Sequence, residues 1–184
     1  MKKLLSIMLS VCIFVLLMPY AIAEENYGEN LCLGKSCTSN GYYGDPFKPE
    51  NAVDGNYNTT AACGSIDRKP IEGMGSYYAV DLGAEYMINR IIVRTRRDVD
   101  AIWARVIDSV GIANKENLSD YVKLGEKKVG GEFGSNLNVV LEKPLKARYI
   151  VAIAGSLGEI EAYGVEAAES AEGEFGDVTD AKQK

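Results

Sequence analysis

The chain has 184 residues, with 26 acidic against 20 basic side chains, a formal net charge of -6 and no histidine. That acidic balance argues against nucleic acid as a partner, and the missing imidazole removes Ser-His and Cys-His catalytic arrangements outright. No spacing of carboxylates singles out an acid pair of the glycosidase kind, so a non-enzymatic role is expected.

Residues 1–23, MKKLLSIMLSVCIFVLLMPYAIA, read as a secretory signal peptide: a Lys2-Lys3 head, an apolar run from Leu4 to Met18, and a small-residue ending before Glu24. Cys32 lies too far past Ala23 to be the acylated first residue of a lipoprotein. Cleavage leaves 161 residues and, with Lys2 and Lys3 gone, a net charge of -8. That length suits one domain with a real core and not two of ordinary size. The expected location is secreted, extracellular or periplasmic.

Next comes NLCLGKSCTSN, with Cys32 and Cys37; Cys63 follows, so the mature chain carries an odd number of thiols in an oxidising compartment. One disulfide plus one buried thiol is the simplest account. Cys32 alternates with Leu31 and Leu33 and reads as core, leaving Cys37 to pair with Cys63. Zinc is disfavoured, because three thiols without a fourth ligand make a poor structural site. Gly34-Lys35-Ser36 resembles the end of a phosphate-binding loop, but Glu29 stands where that loop needs glycine.

The segment NAVDGNYNTT packs Asp54, Gly55, Asn56 and Thr59 into a turn able to wrap a hard cation, and LGEIEAYG offers Glu159 as a distant second carboxylate. The same Asp-Gly-Asn also reads as a tight turn between strands. Short apolar alternations between Gly, Asn, Asp and Pro clusters predict strands at 77–82, 87–96, 104–112, 139–141, 148–154 and 160–163, the spacing of an antiparallel sandwich. In INRIIVRTR, Ile91, Val93 and Thr95 face one way and Arg90, Ile92, Arg94 and Arg96 the other. The closing stretch 165–184 is small and acidic, with six acids against two lysines, and is expected to be flexible.

NLCLGKSCTSN, NAVDGNYNTT, SYYAVDLG, YMINRIIVRTR, the Val110-Gly111-Ile112 strand, KPLKARYIVA and EIEAYG, in this order, resemble a discoidin, or coagulation factor V/VIII type C, domain. Within that superfamily the chain is most similar to the fucolectin-like and bacterial carbohydrate-binding members, from about Asn30 to Gly164. The resemblance implies an all-β, antiparallel jelly-roll β-sandwich of the galactose-binding type over 24–164, with ligand loops at one end. It also implies a structural calcium ion held by side-chain oxygens of Asp54, Glu159 and Thr59 and backbone carbonyls of Asn51, Asn56 and Gly158. Tyr77 and Tyr78 then pack beneath the loops, and Pro144 and Arg148 are architectural.

The partner so implied is an extracellular or cell-surface glycan, held by charged donors on its hydroxyls and an aromatic ring against its C–H face. RTRRDVDAIWARV corresponds to the fucolectin loop in which two arginines grip the sugar, giving Arg96, Arg97 and Arg105 with Trp103 between them; Tyr42 and Tyr43 offer a second stacking surface. The histidine that opens the fucose motif is missing, and Val99 and Asp100 replace its paired cysteines, so the resemblance stops short of fucose. Protein or membrane-lipid headgroups are the alternative partners, with Ile102 and Trp103 beside Arg105 as the insertion point. A single domain would gain from multivalency, which makes a homo-oligomer a further expectation.

Overall fold

A computed structural model describes residues 28–63, 75–99, 106–128, 135–167 and 182–183. The strands are β1 (Ser36–Ser39), β2 (Ala61–Ala62), β3 (Tyr77–Arg94), β4 (Ile107–Ala113), β5 (Val122–Lys127), β6 (Asn136–Ile153), β7 (Ser156–Leu157), β8 (Glu159–Glu166) and β9 (Lys182–Gln183). Helical structure among the described residues is confined to two 3-10 turns, Asp45–Phe47 and Pro49–Ala52. No helix there is long and apolar enough to cross a membrane.

The fold is an antiparallel all-β sandwich, as expected, but its two layers are cut from the same strands. β3 and β6 each run for 18 residues and pair along nearly their whole length, from Tyr77 against Ile153 to Arg94 against Asn136. β1 flanks the first half of β3 and β8 the second, while β4 and then β5 extend the sheet beyond the second half of β6. Register shifts at Asp81/Tyr86 and Ile88/Arg90 bend the pair. The second shift is a bulge against β8, because two steps on β3 answer one on β8. A single extra residue moves the inward set to the opposite parity. Tyr78, Val80, Leu82 and Ile88 point into the core before the bulge, and Ile91 and Val93 after it.

Both halves close on one core, which also takes Ile107, Val110 and Ile112 from β4, Ile150 from β6 and Ile160 from β8. Each such aliphatic side chain, taken fully out of water, contributes about 1.5–3 kcal/mol before chain entropy is counted. A smaller cluster of Ala79, Ala113, Leu118, Tyr149 and Val151 lies on the other face of the first layer. Arg148 grips Asp81 with two bonds of 2.9 Å, which fixes the expected architectural role of the arginine. Pro144 is exposed on β6.

Several expectations are corrected. The strands expected at 77–82 and 87–96 are one bent strand, as are those at 139–141 and 148–154, because bulges turn the chain without breaking its pairing. Leu31–Gly34 is a turn, not a strand, and Leu33 is exposed; Cys32 nevertheless is fully buried core. The expected Cys37–Cys63 disulfide is not formed, and Cys32, Cys37 and Cys63 all stand as buried thiols. Cys63 Sγ instead donates toward Asn40 Oδ1 (3.8 Å) and the Tyr77 carbonyl (3.6 Å). Residues 1–23 lie outside the described residues. Of the stretch 165–184, Lys182 and Gln183 pair with Val140 and Val139 of β6.

Candidate functional site

Between the 3-10 turn Pro49–Ala52 and β2, the chain folds into a tight loop through its own side chains. Asp54 Oδ1 accepts the Asn56 amide at 2.8 Å, Asn56 Oδ1 accepts the Asn58 amide at 3.1 Å, and the Asn56 carbonyl accepts the Thr59 amide at 3.0 Å. The first two are the Asx turns that short carboxylate and amide side chains favour, and the third closes a backbone turn. Gly55 sits at φ +75°, so glycine is demanded by conformation; an added Cβ would also stand 2.9 Å from the exposed Leu33 Cδ1.

Thr59 Oγ1 lies 2.7 Å from the Asn56 carbonyl, 2.9 and 3.0 Å from the two Asp54 carboxylate oxygens, and 3.5 Å from the Asn51 carbonyl. A hydroxyl has one proton to donate. Four acceptors around that single donor leave an excess of crowded, electron-rich oxygen. The Gly55 amide donates to Glu159 Oε1 at 3.1 Å, bringing the opening of β8 onto the same loop. Glu159 is fully buried and its Oε2 has no hydrogen-bond partner. Burial pushes this carboxyl up to about 7 against the pull of the Gly55 amide, and the charges of Asp54 and Glu161 add to the rise. The Gly158 amide donates to the Arg94 carbonyl at 2.8 Å. Asn51, Asp54, Asn56, Thr59 and Glu159 therefore meet at one place, with Gly158 next to it in the chain.

A second set of contacts joins this loop to the neighbouring ones. The Asn51 side chain donates to the carbonyls of Pro46 and Thr60, both at 2.9 Å. The Thr60 hydroxyl donates to Asp98 Oδ1 at 2.9 Å, and Asp98 receives Arg96 through both carboxylate oxygens. Arg96 is buried and lies 5.9 Å from the Phe47 ring centroid. Its bonds hold the Asp98 carboxyl below the usual range against the opposing effect of burial, with Thr60 helping. Nearby, β2 pairs with β7, the Cys63 amide donates to the Gly155 carbonyl at 3.0 Å, and the Tyr43 amide reaches the Ala62 carbonyl at 3.2 Å. Tyr78 donates its hydroxyl to the same Gly155 carbonyl at 3.3 Å from beneath.

The candidate ligand residues divide accordingly. Arg96 is enclosed and bonded to both carboxylate oxygens of Asp98. Arg97 is exposed, as are Tyr42 and Tyr43 at 45% and 61%. Trp103 and Arg105 lie outside the described residues. Sequence reasoning passed over Arg94, Glu161, Tyr57 and Tyr163, which form one polar cluster beside the loop. The alternation of Glu159, Glu161 and Tyr163 against Ile160 and Ala162 was the available signal.

A model of the F5/8 type C domain matches residues 34–161. No curated protein sequence matches the chain. Among solved structures, chitosan-binding module 1 of a chitosanase/glucanase from Paenibacillus sp. IK-5 is 21% identical, with a TM-score of 0.57 over 74% of this chain and 100% of that one. A fucolectin from striped bass (Morone saxatilis) serum is 20% identical, with a TM-score of 0.61 over 77% of this chain and 50% of its own. A Clostridium perfringens structure in complex with GalNAc-β-1,3-galactose is 18% identical, with a TM-score of 0.58 over 74% of this chain and 100% of that one. Identities of this size speak to the fold.

Proposed function

The chain belongs to the F5/8 type C domain family, and from that premise we propose that it is a secreted, non-catalytic, lectin-like module that binds a glycan through loops at one end of a calcium-stabilised sandwich. The observation that carries this reading is the crowding of oxygens on Thr59 Oγ1 beside the orphaned Glu159 Oε2, next to loops that present Tyr42, Tyr43 and Arg97. A hard divalent cation favours such carboxylate, hydroxyl and carbonyl donors and relieves their mutual repulsion. Asp54, Glu159 and Thr59 would hold it with side-chain oxygens, and Asn51, Asn56 and Gly158 with carbonyls.

The chain's own residues carry the rest of the mechanism. The Asn51 side chain couples the cation loop to Pro46 and Thr60, and Thr60 reaches Asp98 and so Arg96. Ordering one loop thus orders the others, which lowers the entropy that a ligand must overcome. Arg97, with Trp103 and Arg105 from the adjoining segment, supplies charged donors and a ring; Tyr42 and Tyr43 supply further stacking surface. Relatives of the same fold support the ligand class: they were solved with chitotriose, GalNAc-β-1,3-galactose and Lewis b.

A glycan array probed in calcium and again in a chelator tests this reading. Glycan binding that weakens on chelation and is lost in Arg97→Ala or Trp103→Ala supports it. Binding to anionic liposomes in a flotation assay, with no glycan bound, overturns it in favour of a headgroup-binding module.

A further inference from the structure

β8 meets the Asp54–Thr59 loop at two points, and only one of them uses a group that a cation would also want. Glu159 and Glu161 stand two residues apart on β8, both on the side opposite to the core residues Ile160 and Ala162. Gly55 and Tyr57 likewise stand two residues apart in the loop. Glu159 accepts the Gly55 amide at 3.1 Å, and Glu161 accepts the Tyr57 hydroxyl. Glu161 is in turn fixed from its own sheet: Arg94 of β3 donates to both of its oxygens, through Nε and, at 3.1 Å, through Nη2, and Tyr163 donates its hydroxyl at 2.7 Å. The Arg94 Cζ lies 4.3 Å from the centre of the Tyr57 ring, so that ring is held by its face as well as by its hydroxyl.

The bonds inside the loop give it a shape without giving it a place. Asp54 with Asn56, Asn56 with Asn58 and Asn56 with Thr59 would all travel with the loop if it turned as a body. The Gly55 amide is a single point about which such turning is free, and its partner Glu159 is also a candidate ligand. Tyr57 supplies the second point, and two attachments fix a direction as well as a position. Glu161 already takes donors from Arg94 and Tyr163, which makes it an anchor rather than a ligand. A cluster that served the sandwich alone would need only Arg94, Glu161 and Tyr163, which join β3 to β8. Tyr57 comes from the loop and stays 42% exposed, so its bond acts on the loop and not on the core.

We propose that Tyr57 is a positioning residue for the cation site: pinned to Glu161 and Arg94, it holds the loop against β8 in the metal-free protein, so that Asp54, Thr59 and Glu159 stand together before an ion arrives. This rests on the cation reading above and adds to it the reason the loop is formed before loading. The cost of ordering the loop is then met during folding and is not subtracted from calcium affinity.

Calorimetric calcium titration of the full chain, alongside melting scans in chelator, tests the pin. Tyr57→Ala is expected to weaken calcium binding tenfold or more, about 1.4 kcal/mol, with the melting temperature in chelator unchanged. Tyr57→Phe keeps the ring on Arg94 and loses only the hydroxyl bond; it is expected to weaken binding about threefold, half that free energy. Tyr163→Phe removes a bond to the same Glu161 from a residue of β8 itself and leaves calcium affinity at the wild-type level. Equal calcium affinity in the wild type and Tyr57→Ala, equal losses in Tyr57→Phe and Tyr163→Phe, or a loss in Tyr57→Ala that comes with a lowered melting temperature in chelator while Tyr57→Phe binds as the wild type does, overturns the pin and leaves the cation site standing. A wild type that takes up no calcium overturns both.

Discussion

The Gly55 amide and the Glu159 carboxylate meet at 3.1 Å although 104 positions separate them in the chain. That one bond places an acid of the last long strand against a loop formed near the start of the domain. It is also the bond through which the backbone strain at Gly55 and proton uptake by Glu159 become coupled.

Gly55→Ala is expected to destabilise the protein by about 1–2 kcal/mol, the cost of a left-handed backbone with a Cβ. The added methyl also meets Leu33 Cδ1 at 2.9 Å, but Leu33 is exposed and can move. Urea unfolding of the metal-free variant measures the backbone cost; a calcium titration measures the accompanying loss of affinity.

Metal-free stability should fall as pH rises. The Glu159 carboxyl is raised in the folded state to about 7 from an ordinary value of 4.5. The folded chain therefore holds a proton that the unfolded chain releases, and the stabilisation is complete below 4.5 and lost through 7. Its size is of order 3 kcal/mol. Melting scans in chelator at pH 5 and pH 8 should show this decline, and calcium should reverse it at the higher pH. Glu159→Gln should flatten the profile and abolish the response to calcium.

Arg96 and Arg97 are adjacent and are expected to behave differently. Arg96→Ala leaves Asp98 without its bidentate partner and should cost about 1–3 kcal/mol, toward the low end because the Asp98 carboxylate is partly in water. Arg97→Ala should leave stability within about 0.5 kcal/mol of wild type while lowering glycan binding. Thermal denaturation alongside array binding separates the two; equal losses of stability would show that Arg97 too is structural.

The thiols of Cys32, Cys37 and Cys63 should stay silent toward an aromatic disulfide reagent until the protein unfolds. Burial pushes Cys37 up to about 12, with Glu50 and Cys63 adding, and pushes Cys32 well above its ordinary value; a thiol so raised supplies almost no thiolate. Reducing agent should leave the melting temperature unchanged. A fall in melting temperature on reduction would reveal a bridge.

The sandwich was legible because its strands alternate plainly, and Ile91 and Val93 face the core as their spacing requires. The continuity of β3 and β6 was not, because the register shift between Asp81 and Tyr86, with Gly83 at positive φ, interrupts the pattern of β3, as the irregular stretch between Val140 and Leu145 interrupts that of β6, so each reads as two strands. β2 and β7 are two residues each and exist only through pairing with one another, which no local pattern announces. The tight turn at Asp54–Thr59 was legible in its Asx residues. The enclosure of Arg96 was not, since an Arg-x-Asp triplet looks the same whether the two side chains grip each other or a ligand. Glu161 was passed over because its partners, Arg94, Tyr163 and Tyr57, come from three separate segments.

Two strands threading both layers have a mechanical corollary. Neither layer can peel away while the other survives, because the amides of β3 and β6 are shared between them. Slow hydrogen exchange along both strands should then report a single global opening, and a tug on a surface-bound ligand would be resisted by the whole domain at once.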